Sequence, residues 1–501
     1  MILITGAGPT GLVLALGLAR RGIPFRIVDR RPGPGLASRA IAVHARTLEL
    51  YDQFGLADEI VAGGIPIRHI RLREAGMAVA AIDLAGMGGD LSPFPYLLSY
   101  PQDDHERFLV AELRRLGVAV EWNVELVDLR DAAEAVTVTL HHGHREEIAD
   151  FAYVAGCDGS HSRVREALGI GFPGGSYGQL FYVADVELDG ARDSDMVMNL
   201  GARSFALRMP VRSQESSRLV GLVPAALAGQ ADLGFEPLRR HVEGLLGVKV
   251  ARVNWFSTYH VHHRVAERFR QGRCFLLGDA AHVHSPAGGQ GMNTGIGDAM
   301  NLSWKLAGVG CRGACPTVLD SYEPERMAFA QSLVATTDRV FQAVVSPGVA
   351  GTALRMLIVP ILFPVLTSIG VLQRTLFETV SQVKLHYPHS PLSRGEAGGI
   401  AGGDRLPWLA QPDNYAPLRS LAWQLHVHGD VDPRLVATAS RLGVALHCWR
   451  WSEAAESAGY AANAAYLVRP DGYVGLAGAD AGNLAGYVAA FKLDPTRRLP
   501  V

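Results

Sequence analysis

Residues 1–30 read MILITGAGPTGLVLALGLARRGIPFRIVDR, and this stretch decides the fold. Ile2-Leu3-Ile4 is a short apolar run, followed by the glycine turn Gly6-Ala7-Gly8-Pro9-Thr10-Gly11. Leu12, Leu16 and Ala19 then recur at helical spacing over about Pro9 to Arg21, and Pro24 to Val28 is a second apolar run that ends in Asp29. Strand, helix and strand in so short a span predict a βαβ start and an α/β fold with a parallel sheet.

Around this opening, composition sets the outer limits. At 501 residues the chain predicts two to four domains, and 48% hydrophobic with 19% charged residues is ample for buried cores. A formal net charge of −2 gives no electrostatic reason for nucleic acid or an anionic membrane as partner. Five cysteines at irregular spacing make no disulfide framework, which fits a reducing, cytoplasmic setting. Cys311 and Cys315 lack further ligands for zinc, and no metal is expected. Met1 leads straight into the first strand, leaving no room for a leader. Met356 to Leu372 is uncharged, but Pro360 and Pro364 interrupt it, so a helix packed on protein is expected there rather than a membrane span.

Further along, residues 68–97 are short and irregular in pattern, with Gly86, Gly88 and Gly89; helical periodicity returns near His105–Leu116. Alternating segments at Phe181–Leu188, Ser204–Val211, Arg218–Val223 and Ala251–His260 predict an antiparallel sheet. Cys274–Leu277 resumes the buried-strand pattern and Gly297–Leu306 a helix. The expected division is a discontinuous first domain (1–68, 98–175 and 266–345), a sheet domain (69–97 and 176–265), a helical connector (346–396) and a small α/β unit (397–501). No internal repeat is evident.

Three motifs carry the chemistry. In the first, Gly6 permits a tight turn, Gly8 lets a pyrophosphate approach the backbone, and Gly11 lets helix and strand pack closely. Asp29 follows Gly11 by 18 residues, where a carboxylate can accept from ribose hydroxyls; dinucleotide binding is the reading. The second, Cys157-Asp158-Gly159-Ser160-His161-Ser162-Arg163, follows the strand-like run Phe151–Ala155 and alone reads as a turn with Asp158 as helix cap. The third is Gly278-Asp279-Ala280-Ala281-His282, then Pro286, Gly288-Gly289-Gln290-Gly291-Met292-Asn293 and a helix. It offers an acid to a polyhydroxyl chain and a glycine-rich helix start to a ring carbonyl carrying negative charge.

In this order the motifs resemble those of the single-component FAD-dependent aromatic hydroxylases, among them phenol, hydroxyphenylpropionate and polyketide hydroxylases and rifampicin monooxygenase. The resemblance is densest from Gly272 to Glu325 and covers roughly residues 1–345. It implies a Rossmann-type FAD-binding domain interleaved with the sheet domain, and a thioredoxin-like C-terminal domain, here without a CxxC. By the same resemblance Gly6, Gly8, Thr10 and Gly11 hold the pyrophosphate of non-covalent FAD. Asp29, standing where Glu is commoner, takes the ribose with Arg30 beside it, and Arg39 reaches the phosphates. Gln102 and Val124 flank the cofactor, Asp158 links it to transient NADPH or NADH binding, and Asp279 takes the ribityl chain. Pro286, Gly291, Met292 and Asn293 lie at the flavin ring.

The implied reaction is NAD(P)H reduction of the flavin, addition of O2 to give a hydroperoxide, and oxygen transfer to an aromatic or polycyclic small molecule. Such a route needs no side-chain nucleophile, and no catalytic residue is assigned; His44, Tyr177 and Tyr259 are candidates for an optional base. There is no second strand-linked GxGxxG for the reductant. His260, His262 and His263 read as a polar strand face, since no third ligand is placed. Competing readings are another flavoprotein on the same fold (a Baeyer–Villiger-type oxygenase or a reductase) and an FAD-binding protein without turnover. Asn254-Trp255-Phe256-Ser257 lacks the WxWxIP pattern of halogenases. Monomer and homodimer both stay open.

Overall fold

The computed structural model describes residues 1–35, 40–74, 77–132, 134–190, 194–200, 204–230, 232–285, 289–345 and 370–494. The apolar stretch from Met356 lies, up to residue 369, outside the described residues.

Ile2–Thr5 is buried along its whole length, as a run without alternation requires, and is an interior strand of a six-stranded sheet. Tyr153–Gly156 and Phe25–Asp29 flank it in parallel; Cys274–Leu276 pairs in parallel beyond the first and Glu121–Trp122 beyond the second. Helix Pro9–Ala19 starts with proline at its first position and is buried nearly all round. The long helix Gly291–Arg312 packs against it closely enough that a Cβ on Gly17 would lie 2.7 Å from the Cβ of Ser303.

The second body is an eight-stranded sheet containing Gly174–Leu188, Phe205–Val211, Ser213–Leu222 and Val250–Val265. One face is closed by helix Glu236–Leu246, whose Leu238, Val242 and Leu246 meet Tyr182, Ala184 and Val186. The irregular region after residue 68 turns out to hold a hairpin, His69–Glu74 with Met77–Asp83. It joins the sheet by pairing in parallel with Met196–Leu200. Its alternation is masked because Met77, Ala78 and Val79 are exposed together at the sheet edge.

The third-motif helix begins at Gly291, earlier than the pattern suggests. Glycine reads as a helix breaker, but Gly295 and Gly297 are interior positions where Thr10 and Arg326 press against the helix.

Beyond residue 397 lies a four-stranded mixed sheet: Gln424–His428 runs parallel to Ala445–Trp449 and antiparallel to Ala465–Val468, which pairs with Val474–Ala477. This unit is bolted on by buried charges. Arg469 donates to both oxygens of Glu325 (2.9 and 3.0 Å), which also holds Lys305 at 2.7 Å. Arg405 pairs with Glu49 at 2.6 Å, and Asp471 accepts from the Trp304 indole at 2.9 Å. No helix among the described residues is long and apolar enough to cross a membrane.

Candidate functional site

Strand register brings the three motifs together. Thr5 is level with Gly156 and Val28, and Gly156 with Leu276. The strands therefore end side by side. Gly6, Asp29, Asp158 and Asp279 all follow at one carboxyl edge, where open α/β sheets bind ligands.

The fingerprint glycines differ in what surrounds them. Gly6 has φ +95°, and a Cβ there would sit 2.2 Å from the Cys157 carbonyl oxygen; on Gly11 it would sit 2.0 Å from the Gly6 oxygen. Gly8 has φ −76° and nothing within 4 Å of a Cβ. Protein closes over the first two, while Gly8 borders open room at a helix start whose first amides have no carbonyl partner in the helix. That is the space and charge a pyrophosphate requires. Thr10 reaches the other way, its Oγ1 2.7 Å from a Cβ placed on Gly278 and 2.3 Å from one on Gly295, so the first motif is packed against the third.

Asp29 is nearly buried and held by the Ala7 N–H (2.7 Å) and the Arg31 N–H (2.8 Å). Its arginine partner is Arg31, which bridges on to Glu106 at 3.1 Å; Arg30 is exposed, 3.8 Å from Glu125. Gln102 opens helix Gln102–Arg115, donating its N–H to Ala40 and its side chain to Glu106. Val124 is buried in the main core, so only its backbone can face a cofactor. Arg39 and Pro286 lie outside the described residues.

One oxygen of Asp158 accepts from the N–H groups of Arg163 (2.8 Å) and Val164 (3.3 Å). The other is shut off from solvent with no hydrogen-bond partner among the described residues, and burial pushes the carboxyl above its ordinary value. An unmet acceptor beside the Gly6 turn fits a ligand-binding edge. Asp279 is exposed on the short turn Gly278–Ala280, as a group meant for a ligand must be.

Asn293 spends its side chain on the protein. Its side chain accepts from the His44 N–H (2.9 Å) and donates to the Ala42 and Gly289 carbonyls (2.9 Å each), so it ties strand Ala42–Val43 to the helix start. What remains for a ring carbonyl is the backbone of the first helical turn.

Sequence reasoning missed Asp298. It accepts from the Gly278 N–H (2.9 Å) and His282 Nε2 (2.8 Å) and pairs with Arg326 at 2.6 Å, fixing the turn that carries Asp279. Burial opposes its ionisation, yet Arg326 and His282 hold its carboxyl below the ordinary range. A signal was available: Thr294, Asp298, Asn301 and Lys305 recur at helical spacing and are all buried, a polar stripe turned inward.

On the face of the eight-stranded sheet opposite helix Glu236–Leu246, Phe181, Leu222 and Val261 are packed with Tyr177, Phe205 and Tyr259. His282–Val283 pairs with Arg264–Val265, joining this sheet directly to the third motif. Tyr259 lies against Phe181 (5.9 Å between rings) and Tyr177 against His263 (4.8 Å), while His44 Nε2 is 3.2 Å from the Gly289 carbonyl. His262 pairs with Ser176 at 2.6 Å, and among the described residues no group of three or more His, Cys, Asp or Glu could hold a metal.

Comparison with known proteins agrees with this geometry. Residues 1–337 match the family model described as an FAD binding domain. The chain is 38% identical over 419 residues to 6-methylpretetramide 4-monooxygenase of Streptomyces rimosus, covering 80% of this chain and 72% of that one. It is 34% identical over 343 residues to dialkyldecalin synthase of Streptomyces rugosporus, covering 67% and 71%. The solved structure of OxyS anhydrotetracycline hydroxylase from Streptomyces rimosus superposes with a TM-score of 0.78 at 28% identity, covering 99% of both chains. The chain belongs to the FAD-binding-domain family of flavin-dependent aromatic hydroxylases.

Proposed function

We propose that this enzyme uses NADPH or NADH and O2 to hydroxylate a polycyclic aromatic molecule on non-covalently bound FAD. The flavin supplies the redox chemistry; the chain binds it, orients it and keeps water from the reacting face. Gly8 and the first turn of helix Pro9–Ala19 take the pyrophosphate, Asp29 the ribose and Asp279 the ribityl chain. Asp158, with its unmet oxygen, bridges to the visiting reductant. Residues 1–68, 98–175 and 266–345 form the FAD domain and 69–97 with 176–265 the substrate domain. The unit from residue 397 is a thioredoxin-like domain serving structure rather than redox exchange.

One observation carries the reading: an aromatic sheet face is joined through His282–Val283 to the very turn that presents Asp279. Rapid mixing under anaerobic conditions tests it. A phenolic polycycle that is a true substrate should speed flavin reduction by NADPH or NADH about tenfold, or about 1.4 kcal/mol of barrier, with a product heavier by one oxygen in air. FAD-loaded protein that consumes neither reductant with any such compound would overturn it. The relative named for a synthase activity keeps one alternative in view, a bound flavin that is never turned over, and that same result would favour it.

A further inference from the structure

His284 stands between two parts of the site, just after strand His282–Val283 and before the helix that starts at Gly291. Its ring is fixed by one contact: Nδ1 lies 2.9 Å from the Ser285 carbonyl oxygen. A carbonyl can only accept, so Nδ1 carries the proton, and the neutral ring presents a bare lone pair at Nε2. That nitrogen is shut off from solvent and has no hydrogen-bond partner among the described residues. Burial holds the ring's pKa down to about 4, so the lone pair is present at neutral pH. A buried acceptor left unmet costs about 1–3 kcal/mol, and such a group calls for a partner that arrives with a ligand.

The place of Nε2 bears on what that partner is. It lies beside the helix start, 3.9 Å from where a Cβ on Gly291 would be, and Gly291 has no side chain there. First-turn amides of a helix donate, and the helix dipole adds positive charge. The pyrimidine edge of a flavin reads acceptor, donor, acceptor: the O2 carbonyl, the N3–H and the O4 carbonyl. Helix amides can meet a carbonyl but cannot meet N3–H, which requires an acceptor. The Gly289 carbonyl is already engaged by Asn293 Nδ2 and His44 Nε2, and the side-chain Oδ1 of Asn293 by the His44 N–H.

We propose that His284 contacts the cofactor, its Nε2 accepting a hydrogen bond from the flavin N3–H. The proposal rests on the FAD reading above and adds to it the residue that recognises the ring's donor edge.

The test uses apoprotein and two cofactors, FAD and its N3-methylated analogue, which lacks the donor; binding is read from quenching of flavin fluorescence. Wild-type protein should bind 3-methyl-FAD at least about tenfold more weakly than FAD, the equivalent of one ordinary hydrogen bond. His284→Leu should bind the two within about twofold of each other, a change that a merely structural role would not produce. His284→Gln keeps an acceptor and should retain most of the preference; it also covers the case in which the Leu variant does not fold. Undiminished preference in His284→Leu would mean that N3–H meets another acceptor and would refute the assignment. So would equal binding of both cofactors by the wild type, or a Gln variant that binds FAD without preference. Failure of the wild type to bind either flavin would remove the FAD reading as well.

Discussion

Alanine at Gly8 separates the fold's needs from the ligand's. In the protein alone the substitution is harmless: φ is −76° and a Cβ meets nothing within 4 Å. By restricting the unfolded chain it should even stabilise the apoprotein slightly, by about 0.4–1 kcal/mol. The room the methyl fills is the room assigned to the pyrophosphate. A displaced phosphate loses one or two charge-assisted hydrogen bonds at about 1.5–3 kcal/mol each, so roughly 3 kcal/mol, or about a hundredfold in Kd, is expected. Gly11→Ala is the contrast, since its Cβ would lie 2.0 Å from the Gly6 oxygen and must move the backbone. Thermal melting of the apoproteins and fluorescence titration with FAD read the two effects separately. The expected pattern is an intact Gly8→Ala apoprotein with poor FAD binding and a Gly11→Ala apoprotein that is itself destabilised. Unchanged FAD affinity in Gly8→Ala would show that the phosphates do not pass over Gly8.

Other perturbations bear on the rest of the assignments. Asp279→Ala should give largely colourless protein, and full flavin retention after purification would contradict its role. Arg469→Met leaves the buried Glu325 with Lys305 as its remaining cation among the described residues and should cost about 3–5 kcal/mol in chemical denaturation; a loss below about 1 kcal/mol would mean the pairing contributes little. His105 and His284 are held by burial at about 3 and about 4, below the unfolded value of about 6.5. Between those limits the unfolded chain binds more protons, so their stabilisation is complete above about pH 6.5 and is lost as pH falls, by up to about 2.7 kcal/mol per unit. Apoprotein stability that is flat from pH 7 to pH 5 would rule this out. Cys448 is exposed and has no CxxC partner, so Cys448→Ser should leave turnover within about twofold.

The opening was legible because its physics is local. A buried parallel strand needs an unbroken apolar run, and a phosphate turn needs glycine where backbone or ligand comes close; both lie within residues 1–30. The Met77–Asp83 hairpin strand was not legible, since an edge strand with exposed apolar residues carries no alternation to read. The helix start at Gly291 was read late for a related reason. Glycine signals a break in sequence but a close contact in structure, and only the facing Thr10 and Arg326 tell the two apart. Three hydrogen bonds tie the Asn293 side chain to Ala42, His44 and Gly289, and the sequence does not show which partners reach it.

The buried charges were the least visible feature and bear most on how the parts act together. A lone Arg469 or Glu325 reads as surface, because such residues are seldom buried unpaired, and the two are 144 residues apart. Once paired, they cannot be separated cheaply: removing one side leaves the other as an uncompensated charge in a dry interior. Glu325 reaches Lys305 and Asn301, and Asp471 reaches Trp304, all on helix Gly291–Arg312, whose first turn is the helix start proposed to face the flavin. Asp298, on the same helix, holds the Asp279 turn through Gly278 and grips Arg326, which in turn bonds the Tyr387 hydroxyl at 2.9 Å. The C-terminal unit therefore helps set where this helix sits, and the helix sets where the Asp279 turn and the Gly291 helix start, the two ends of the proposed flavin site, sit. On the structural role proposed for it, this unit is required for the active geometry without needing redox chemistry, which is a physical reason for the chain to carry it.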